Sequence, residues 1–282
     1  MICIIFAPYL IEMKNYSIIA AALLLILASC TPTKEEDKGA ENLYIEAEKS
    51  FSEGNYSRSK LLIDSIHSAY RRNVEVRKKA SLLMTEITAA EQERNRQYAD
   101  SIRPIRQAEF NALLKNFAVS PDTAYFDYKK YIHKSLLSKG PRINIIAEVK
   151  DDGELQLISV YMGRKLDHVK VKVSTKDNFF VESGSISLDS PYNNRFDDFG
   201  TRWEYLTITG ENLNGLHTFI ADNESKPLRV TLISDSVVNS KGVKKPNTYS
   251  YNLEPSDRKA IKQSVELSIL AKDLKELDKI LK

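Results

Sequence analysis

The stretch that decides the fold class is His168-Val169-Lys170-Val171-Lys172-Val173. Its three valines occupy every second position, and two lysines lie between them. Successive side chains of a β-strand point to opposite faces, so this period of two predicts a half-buried strand. A helix would instead repeat its apolar residues every three or four positions. The stretch therefore predicts a sheet with one face on a hydrophobic core.

Strand-like runs also occur on both sides of this stretch, separated by turn residues. Gly140-Pro141 opens the region, and Asp151-Asp152-Gly153 is typical of a hairpin turn. The eight predicted strands span residues 143–149, 155–162, 168–173, 179–188, 205–209, 218–221, 228–233 and 248–253. Because no helical pattern separates them, they predict an antiparallel β-sandwich or barrel over residues 140–254.

A C-terminal helix is predicted after the last strand, over residues 255–282. Pro255 suits a first helical turn, and Asp257 favours the positive end of the helix dipole. The apolar stripe of this helix consists of Ile261, Val265, Ile269, Leu270, Leu274, Leu277 and Leu281. Lysines and acidic residues are mixed on the other face, which indicates a solvated surface rather than a membrane-binding one.

Residues 43–135 predict a helical domain before the β domain, so the fold class is α+β. Apolar residues recur there every three or four positions, as they do along an amphipathic helix. Gly54 interrupts this pattern and separates a first helix from a second. A third, long helix begins near Val74, and Pro104 is expected to kink or end it.

Part of the helical region resembles a tetratricopeptide repeat. The residues that match this family are Ala47, Phe51, Gly54, Tyr56 and the stretch Ile63-Asp64-Ser65-Ile66. The resemblance covers about 35 residues and implies two closely packed helices. Since one repeat cannot bury its own apolar face, a TPR-like hairpin with the third helix as its partner is expected. A peptide-binding groove is the alternative.

The amino terminus resembles the type II signal peptide of bacterial lipoproteins. Lys14 precedes an apolar run from Ile18 to Ala28, which is shorter than the about 20 residues that span a membrane. The run leads into Leu27-Ala28-Ser29-Cys30, which resembles a lipobox. The resemblance implies cleavage before Cys30 and lipid attachment to this cysteine, which would anchor the chain to a membrane.

The same resemblance implies the organisation and destination of the N-terminal residues. The implied segments are a signal peptide over residues 1–29, with the true start at Met13, and a lipidated flexible tether over residues 30–42. Thr31 differs from the Asp of inner-membrane retention signals, so an outer-membrane anchor is expected. Glu35-Glu36-Asp37 resembles the export tag of surface lipoproteins in Bacteroidota. A periplasmic and a surface-exposed location both stay open.

The composition limits which functions are compatible with the chain. With 41 basic and 38 acidic residues the net charge is only +3, which gives no reason to expect nucleic acid as a partner. The two cysteines are Cys3 and Cys30, so the body after them can form no disulfide or thiolate cluster. The four histidines, which lack the spacing of a zinc site, are His67, His133, His168 and His217. Neither a metal nor a cofactor is expected.

The candidate binding loop runs from Tyr192 to Tyr205. It combines five aromatic residues, including the single tryptophan Trp203, with arginines and acids. The candidate binding residues are Tyr192, Arg195, Asp197, Asp198, Arg202, Trp203 and Glu204. Aromatic rings beside such polar groups suit sugars or peptides. Two alternatives are a connection whose aromatics cover the end of the β domain, and calcium ligation by Asn193, Asp197 and Asp198.

Two functions remain compatible with these patterns. The first is a membrane-anchored, non-enzymatic binding or scaffolding module that recognises an envelope protein or glycan. The second is a carbohydrate-active or peptide-processing accessory enzyme that uses the carboxylates of the candidate loop, because two acids on different strands leave no local sequence signature.

Overall fold

The computed structural model describes residues 34–120, 128–238 and 244–282. It has two units, of which the first ends at Gln97 and the second runs from Tyr98 to Lys282. The α-helices are α1 (Lys34–Ser52), α2 (Tyr56–Ala69), α3 (Val74–Leu114), α4 (Lys134–Leu137), α5 (Leu216–Asp222) and α6 (Pro255–Ile280). The β-strands are β1 (Phe117–Val119), β2 (Lys130–His133), β3 (Asn144–Lys150), β4 (Leu155–Gly163), β5 (His168–Ser174), β6 (Phe180–Glu182), β7 (Asn193–Asp198), β8 (Thr201–Ile208), β9 (Leu228–Val238) and β10 (Lys244–Leu253).

The first unit is built from α1, α2 and the first part of α3. Its core contains the fully buried side chains of Ala40, Ala47, Ile63, Ile66, Ala80 and Ile87. The hydroxyl of Ser59 is buried and donates a hydrogen bond of 2.7 Å to the carbonyl of Ala47. Two small residues thus allow α1 and α2 to approach closely, as expected for a helical hairpin.

The predicted tether over residues 30–42 is wrong for most of its length, because α1 already begins at Lys34. Ala40 is fully buried, although it lies inside the segment that was expected to be flexible. Gly39 lies so close to Tyr70 that an added Cβ would be 2.6 Å from the tyrosine oxygen. The charged residues that suggest a solvated tether are part of a helix instead.

The long helix α3 continues through Pro104, which was expected to kink or end it. A proline in a helix removes one hydrogen bond and strains the preceding turn, but the neighbouring turns keep their own bonds. Beyond the proline, Phe110, Leu113 and Leu114 pack against the core of the second unit. This burial offsets the local cost, so the helix ends only at Leu114.

The boundary between the units differs from the prediction of a helical domain over residues 43–135. It falls after Gln97, within α3. Strands β1 and β2 belong to the β part of the second unit, since β2 pairs with β3. These two strands span only 3 and 4 residues, too few to show an alternation along the sequence.

The strands of the second unit form two antiparallel sheets. The larger sheet has the order β1-β2-β3-β4-β8-β7, and the smaller one has the order β10-β9-β5-β6. The two sheets share one core, whose fully buried members include Ile145, Leu157, Leu206, Val171, Val230 and Leu232. The valines of β5 face this core as their period predicts, which confirms the α+β fold class.

The C-terminal helix α6 begins at Pro255 and covers part of the larger sheet, since it contacts β2, β3 and β4. Asp257 is fully buried near its start, and both carboxylate oxygens accept hydrogen bonds from Arg142, at 2.6 and 2.7 Å. Further along, the hydroxyl of Ser268 donates to the carbonyl of Gly153 in the β3–β4 turn. The predicted C-terminal helix is therefore confirmed, and its first turn and its middle are fixed to either end of β3.

One predicted strand, over residues 218–221, is wrong. These residues belong to the short helix α5. Leu216 and Ile220, four positions apart, are both fully buried, and Phe219 packs against the same core. A run of four apolar or neutral residues fits both periodicities, so the pattern could not distinguish the two structures.

Candidate functional site

The candidate binding loop from Tyr192 to Tyr205 is a β-hairpin rather than a loop. Strands β7 and β8 pair in register, with Phe196 opposite Trp203 and Asn194 opposite Tyr205. Since β7 is rich in Asn and Asp, which are depleted in strands, it resembles a loop in sequence. It lies at the edge of the larger sheet, where a strand pairs with only one neighbouring strand.

The tip of this hairpin is the two-residue turn Phe199-Gly200. Both residues have positive φ angles, 44° and 79°, as a tight hairpin turn of the I′ type requires. Asn, Asp and Gly adopt this conformation readily, whereas a bulky residue such as Phe is strained in it. The Phe199 side chain is also fully exposed, at 102% of its reference area. The hairpin therefore holds an aromatic ring in solvent against two energetic preferences.

Three further aromatic residues lie on the outward face of the hairpin. The rings of Phe196, Trp203 and Tyr205, here called the aromatic triangle, have centroids 5.9 to 6.4 Å apart and planes within 14° of one another. Register explains this cluster, because Phe196 is directly opposite Trp203, and Tyr205 lies two positions further along the same face. Phe196 is 48% exposed, and the other two rings are half-buried.

Three of the predicted binding residues, Arg195, Asp197 and Arg202, form an ionic cluster within the protein. Asp197 accepts a hydrogen bond of 3.0 Å from Arg202, which also bonds Asp167 at 3.3 Å. Arg195 lies 3.7 Å from the same oxygen of Asp167 and donates to the carbonyl of Leu188. These contacts join the hairpin to the β4–β5 connection, so the two arginines support the hairpin.

The remaining predicted polar residues have different environments. Asp198 is exposed on the outward face of β7, and Tyr192 is 49% exposed. Asn193 is buried and donates to the carbonyls of His168 and Ile186. Asn193 and Asp198 therefore lie on opposite faces of the strand, which is incompatible with the suggested calcium site. Among the described residues, no group of three His, Cys, Asp or Glu side chains could hold a metal ion.

Glu204 was expected to be a binding residue, but its side chain is fully buried. Its carboxylate accepts hydrogen bonds from the backbone amides of Leu166, Asp167 and His168 and from the His168 ring, at 2.7 to 3.0 Å. Burial by itself would raise the pKa of this carboxyl, but the hydrogen bonds outweigh burial and lower the pKa to about 2. Glu204 thus holds the connection between the two sheets and is inaccessible to a ligand.

The other ring nitrogen of His168 lies 3.2 Å from the hydroxyl of Ser159. Ser159, His168 and Glu204 therefore have the order of a hydrolytic Ser-His-acid triad. All three side chains are fully buried between the sheets, so no substrate reaches the hydroxyl in this structure. This cluster was not predicted from the sequence, because its members come from three strands and leave no local motif.

No known protein family, curated protein or solved structure matches this chain. Within the described residues, none of the helices combines the length and apolar character needed to cross a membrane. The predicted signal peptide and Cys30 lie outside the described residues.

Proposed function

We propose that this chain is a bacterial lipoprotein, anchored by lipid on Cys30, and that it acts as a non-enzymatic binding module of the cell envelope. Its contact surface consists of the aromatic triangle and Phe199 at the tip of the β7–β8 hairpin. Its partner is an envelope glycan or protein, and its membrane is the outer membrane. The observation that carries the binding role is the fully exposed Phe199 at a positive φ angle.

Phe199 carries two energetic costs in the folded protein. Exposure of a large apolar ring gives no benefit to folding, and left-handed backbone costs a non-glycine residue about 1 kcal/mol or more. Asn at the same position would remove both penalties. Strained and exposed residues are concentrated at sites where a partner compensates for the cost. The neighbouring triangle enlarges the apolar area that a partner can cover.

The polar neighbours of the aromatic triangle suit the same role. Asn194 and Asp198 are exposed on the same face of β7 as Phe196. Rings that stack against a flat ligand, beside amide and carboxylate oxygens that accept its hydrogen bonds, are typical of sugar and peptide sites. A glycan partner would use the rings for its apolar face and these oxygens for its hydroxyls.

The alternative of an enzyme that uses the loop carboxylates has less support from this geometry. Glu204 accepts four hydrogen bonds from the protein itself, and Asp197 is paired with Arg202. Asp197 and Asp198 are both exposed, so Asp198 is the one candidate acid that is neither buried nor paired with Arg202. Glycoside hydrolysis by two carboxylates requires a pair about 5 to 10 Å apart, both facing the substrate.

The experiment that tests the binding role uses Trp203→Ala. Removal of an aromatic anchor typically costs about 2 kcal/mol of binding, or roughly thirtyfold in affinity. Calorimetric titration with soluble peptidoglycan fragments would measure this loss for a glycan partner, and quantitative co-purification from solubilised envelope would measure it for a protein partner. Trp203 is half-buried on the outer face, so the melting temperature should change little.

A matched control is Phe179→Ala, which removes a ring that is 71% exposed at the β5–β6 turn. This variant should bind as the wild type does. Equal loss of binding in both variants would show that binding does not depend specifically on the aromatic triangle. A drop of about 3 to 5 kcal/mol in the stability of Trp203→Ala would show that Trp203 is a core residue rather than a contact residue.

A further inference from the structure

The helical unit begins very close to the proposed lipid anchor. Cys30 precedes the first residue of α1, Lys34, by four positions. Four residues of extended chain reach at most about 14 Å. If Cys30 carries the lipid, as proposed above, the beginning of α1 must lie within about that distance of the bilayer surface.

Contacts within the helical unit identify what else lies at this end. The Tyr70 ring at the end of α2 touches Gly39 near the beginning of α1. Lys79, in the second turn of α3, forms an ion pair of 3.4 Å with Glu41. The turn between α2 and α3 is therefore beside the beginning of α1, at the end of the unit nearest to Cys30.

This turn and the following part of α3 carry a concentration of positive charge. Between residues 71 and 82 there are five basic residues and a single acid, Glu75. The basic residues are Arg71, Arg72, Arg77, Lys78 and Lys79. These five residues, together with Val74 and Leu82, are here called the basic end. All but Arg77 are exposed. Arg77 is half-buried and bonds the carbonyl of Arg71 at 3.0 Å.

Apolar side chains lie among these charges. Val74 is 53% exposed and Leu82 is 68% exposed. Together with Arg77 and Lys78 they line an open groove of about 610 Å³. Mixed basic and apolar surfaces of this kind bind membrane interfaces, where apolar groups enter the headgroup region and cations attract anionic lipids.

We propose that the basic end lies on the anionic phospholipid headgroups of the bilayer that holds the lipid on Cys30. The proposal rests on the anchoring proposed above. Lipid attachment raises the local concentration of headgroups at this end, so that a weak surface interaction becomes persistent. A basic patch beside a lipid anchor adds electrostatic attraction to anionic headgroups. The acids Glu35, Glu36 and Asp37 begin α1, so the apolar residues must contribute as well.

The test uses the chain from residue 30 onward with Cys30→Ser, which lacks lipid. It is mixed with two kinds of vesicle, one of phosphatidylcholine alone and one that also contains about 40% of the anionic lipid phosphatidylglycerol. Bound protein is measured by sedimentation. We expect binding to the anionic vesicles that weakens at high salt. The variant Arg71→Gln/Arg72→Gln/Lys78→Gln should bind roughly tenfold to a hundredfold more weakly.

The matched control, Lys165→Gln/Lys176→Gln/Lys226→Gln, removes the same charge from exposed positions of the second unit and should bind as the parent does. Val74→Ser/Leu82→Ser tests the apolar part at constant charge and should also weaken binding. Equal loss in both triple variants, or absence of binding to anionic vesicles, would overturn the proposal. The assay does not depend on Cys30, so failure of lipid attachment would be detected separately, by metabolic labelling with a palmitate analogue.

Discussion

At the scale of single residues, Phe199 makes the most direct link between backbone strain and function. Phe199→Asn should stabilise the protein by about 1 kcal/mol, because Asn tolerates the positive φ of 44°. The same change should weaken partner binding, because it removes the exposed ring. Urea unfolding and the binding assays described above would measure the two effects.

The opposite signs of these effects separate a contact residue from a structural one. Phe179→Asn is a suitable control, since it removes another exposed ring and should neither stabilise the protein nor affect binding. A Phe199→Asn variant that is more stable and binds equally well would show that the ring at the hairpin tip has no part in recognition.

A second prediction at the residue scale concerns Glu204 and the loss of folding stability at acidic pH. Its pKa in the folded protein is about 2, below the ordinary value of 4.5, so the ionised carboxylate stabilises the folded state. This contribution, about 3 kcal/mol, is complete above pH 4.5 and is lost as the pH falls from 4.5 towards 2.

Glu204→Gln should accordingly be less stable at pH 6 and should show a flatter loss of stability between pH 5 and pH 2.5, measured by urea unfolding. Asp198→Asn, which changes an exposed carboxylate of the same hairpin, is the control and should keep the wild-type profile. If Glu204→Gln kept the wild-type pH dependence, the carboxylate would not be the group that holds the β4–β5 connection.

At the scale of elements, the length of a pattern determined what could be predicted. The alternation over 168–173 and the stripe along α6 are long enough to distinguish strand from helix, and both predictions are confirmed. The four residues 218–221 fit either period, and they form part of α5. Strand β7 has the composition of a loop, and only its pairing with β8 makes it a strand.

The candidate site was predictable only in part, because its segment is visible in the sequence but its strand register is not. The concentration of aromatics in residues 192–205 is visible in the sequence, so the right segment could be chosen. Which side chains face outward depends on register, and a shift of one position would exchange the faces. Thus Trp203 belongs to the aromatic triangle, whereas the adjacent Glu204 is fully buried.

A prediction at this scale concerns the continuity of α3 through Pro104. The proline is exposed, so Pro104→Ala should restore a backbone hydrogen bond without disturbing any packing. The expected gain is up to about 3 kcal/mol of unfolding free energy, the difference between proline and alanine inside a helix. Thermal melting would detect it, with the exposed Ser101→Ala as the control. An unchanged or lower melting temperature would indicate that α3 is interrupted at this position in solution.

At the scale of the whole molecule, the chain has two units, and a lipid anchor is proposed before the first of them. The division into a helical and a β-containing part follows from the change in composition along the chain. The predicted boundary is too late, because α3 crosses the actual boundary as one continuous helix and the strands that follow it, β1 and β2, are too short to interrupt a helical pattern. The beginning of α1 at Lys34 shortens the expected tether to four residues at most, so anchoring would hold the helical unit near the membrane.

Lipid attachment to Cys30 is the central claim, because the proposed location and the membrane contact of the basic end both depend on it. Metabolic labelling of cells with a palmitate analogue, applied to the wild type and to Cys30→Ser, tests this claim most directly. We expect label on the wild-type protein, which should partition into detergent, and no label on Cys30→Ser, which should stay soluble or remain an uncleaved precursor. Equal labelling of the two proteins, or an unlabelled wild type, would contradict it.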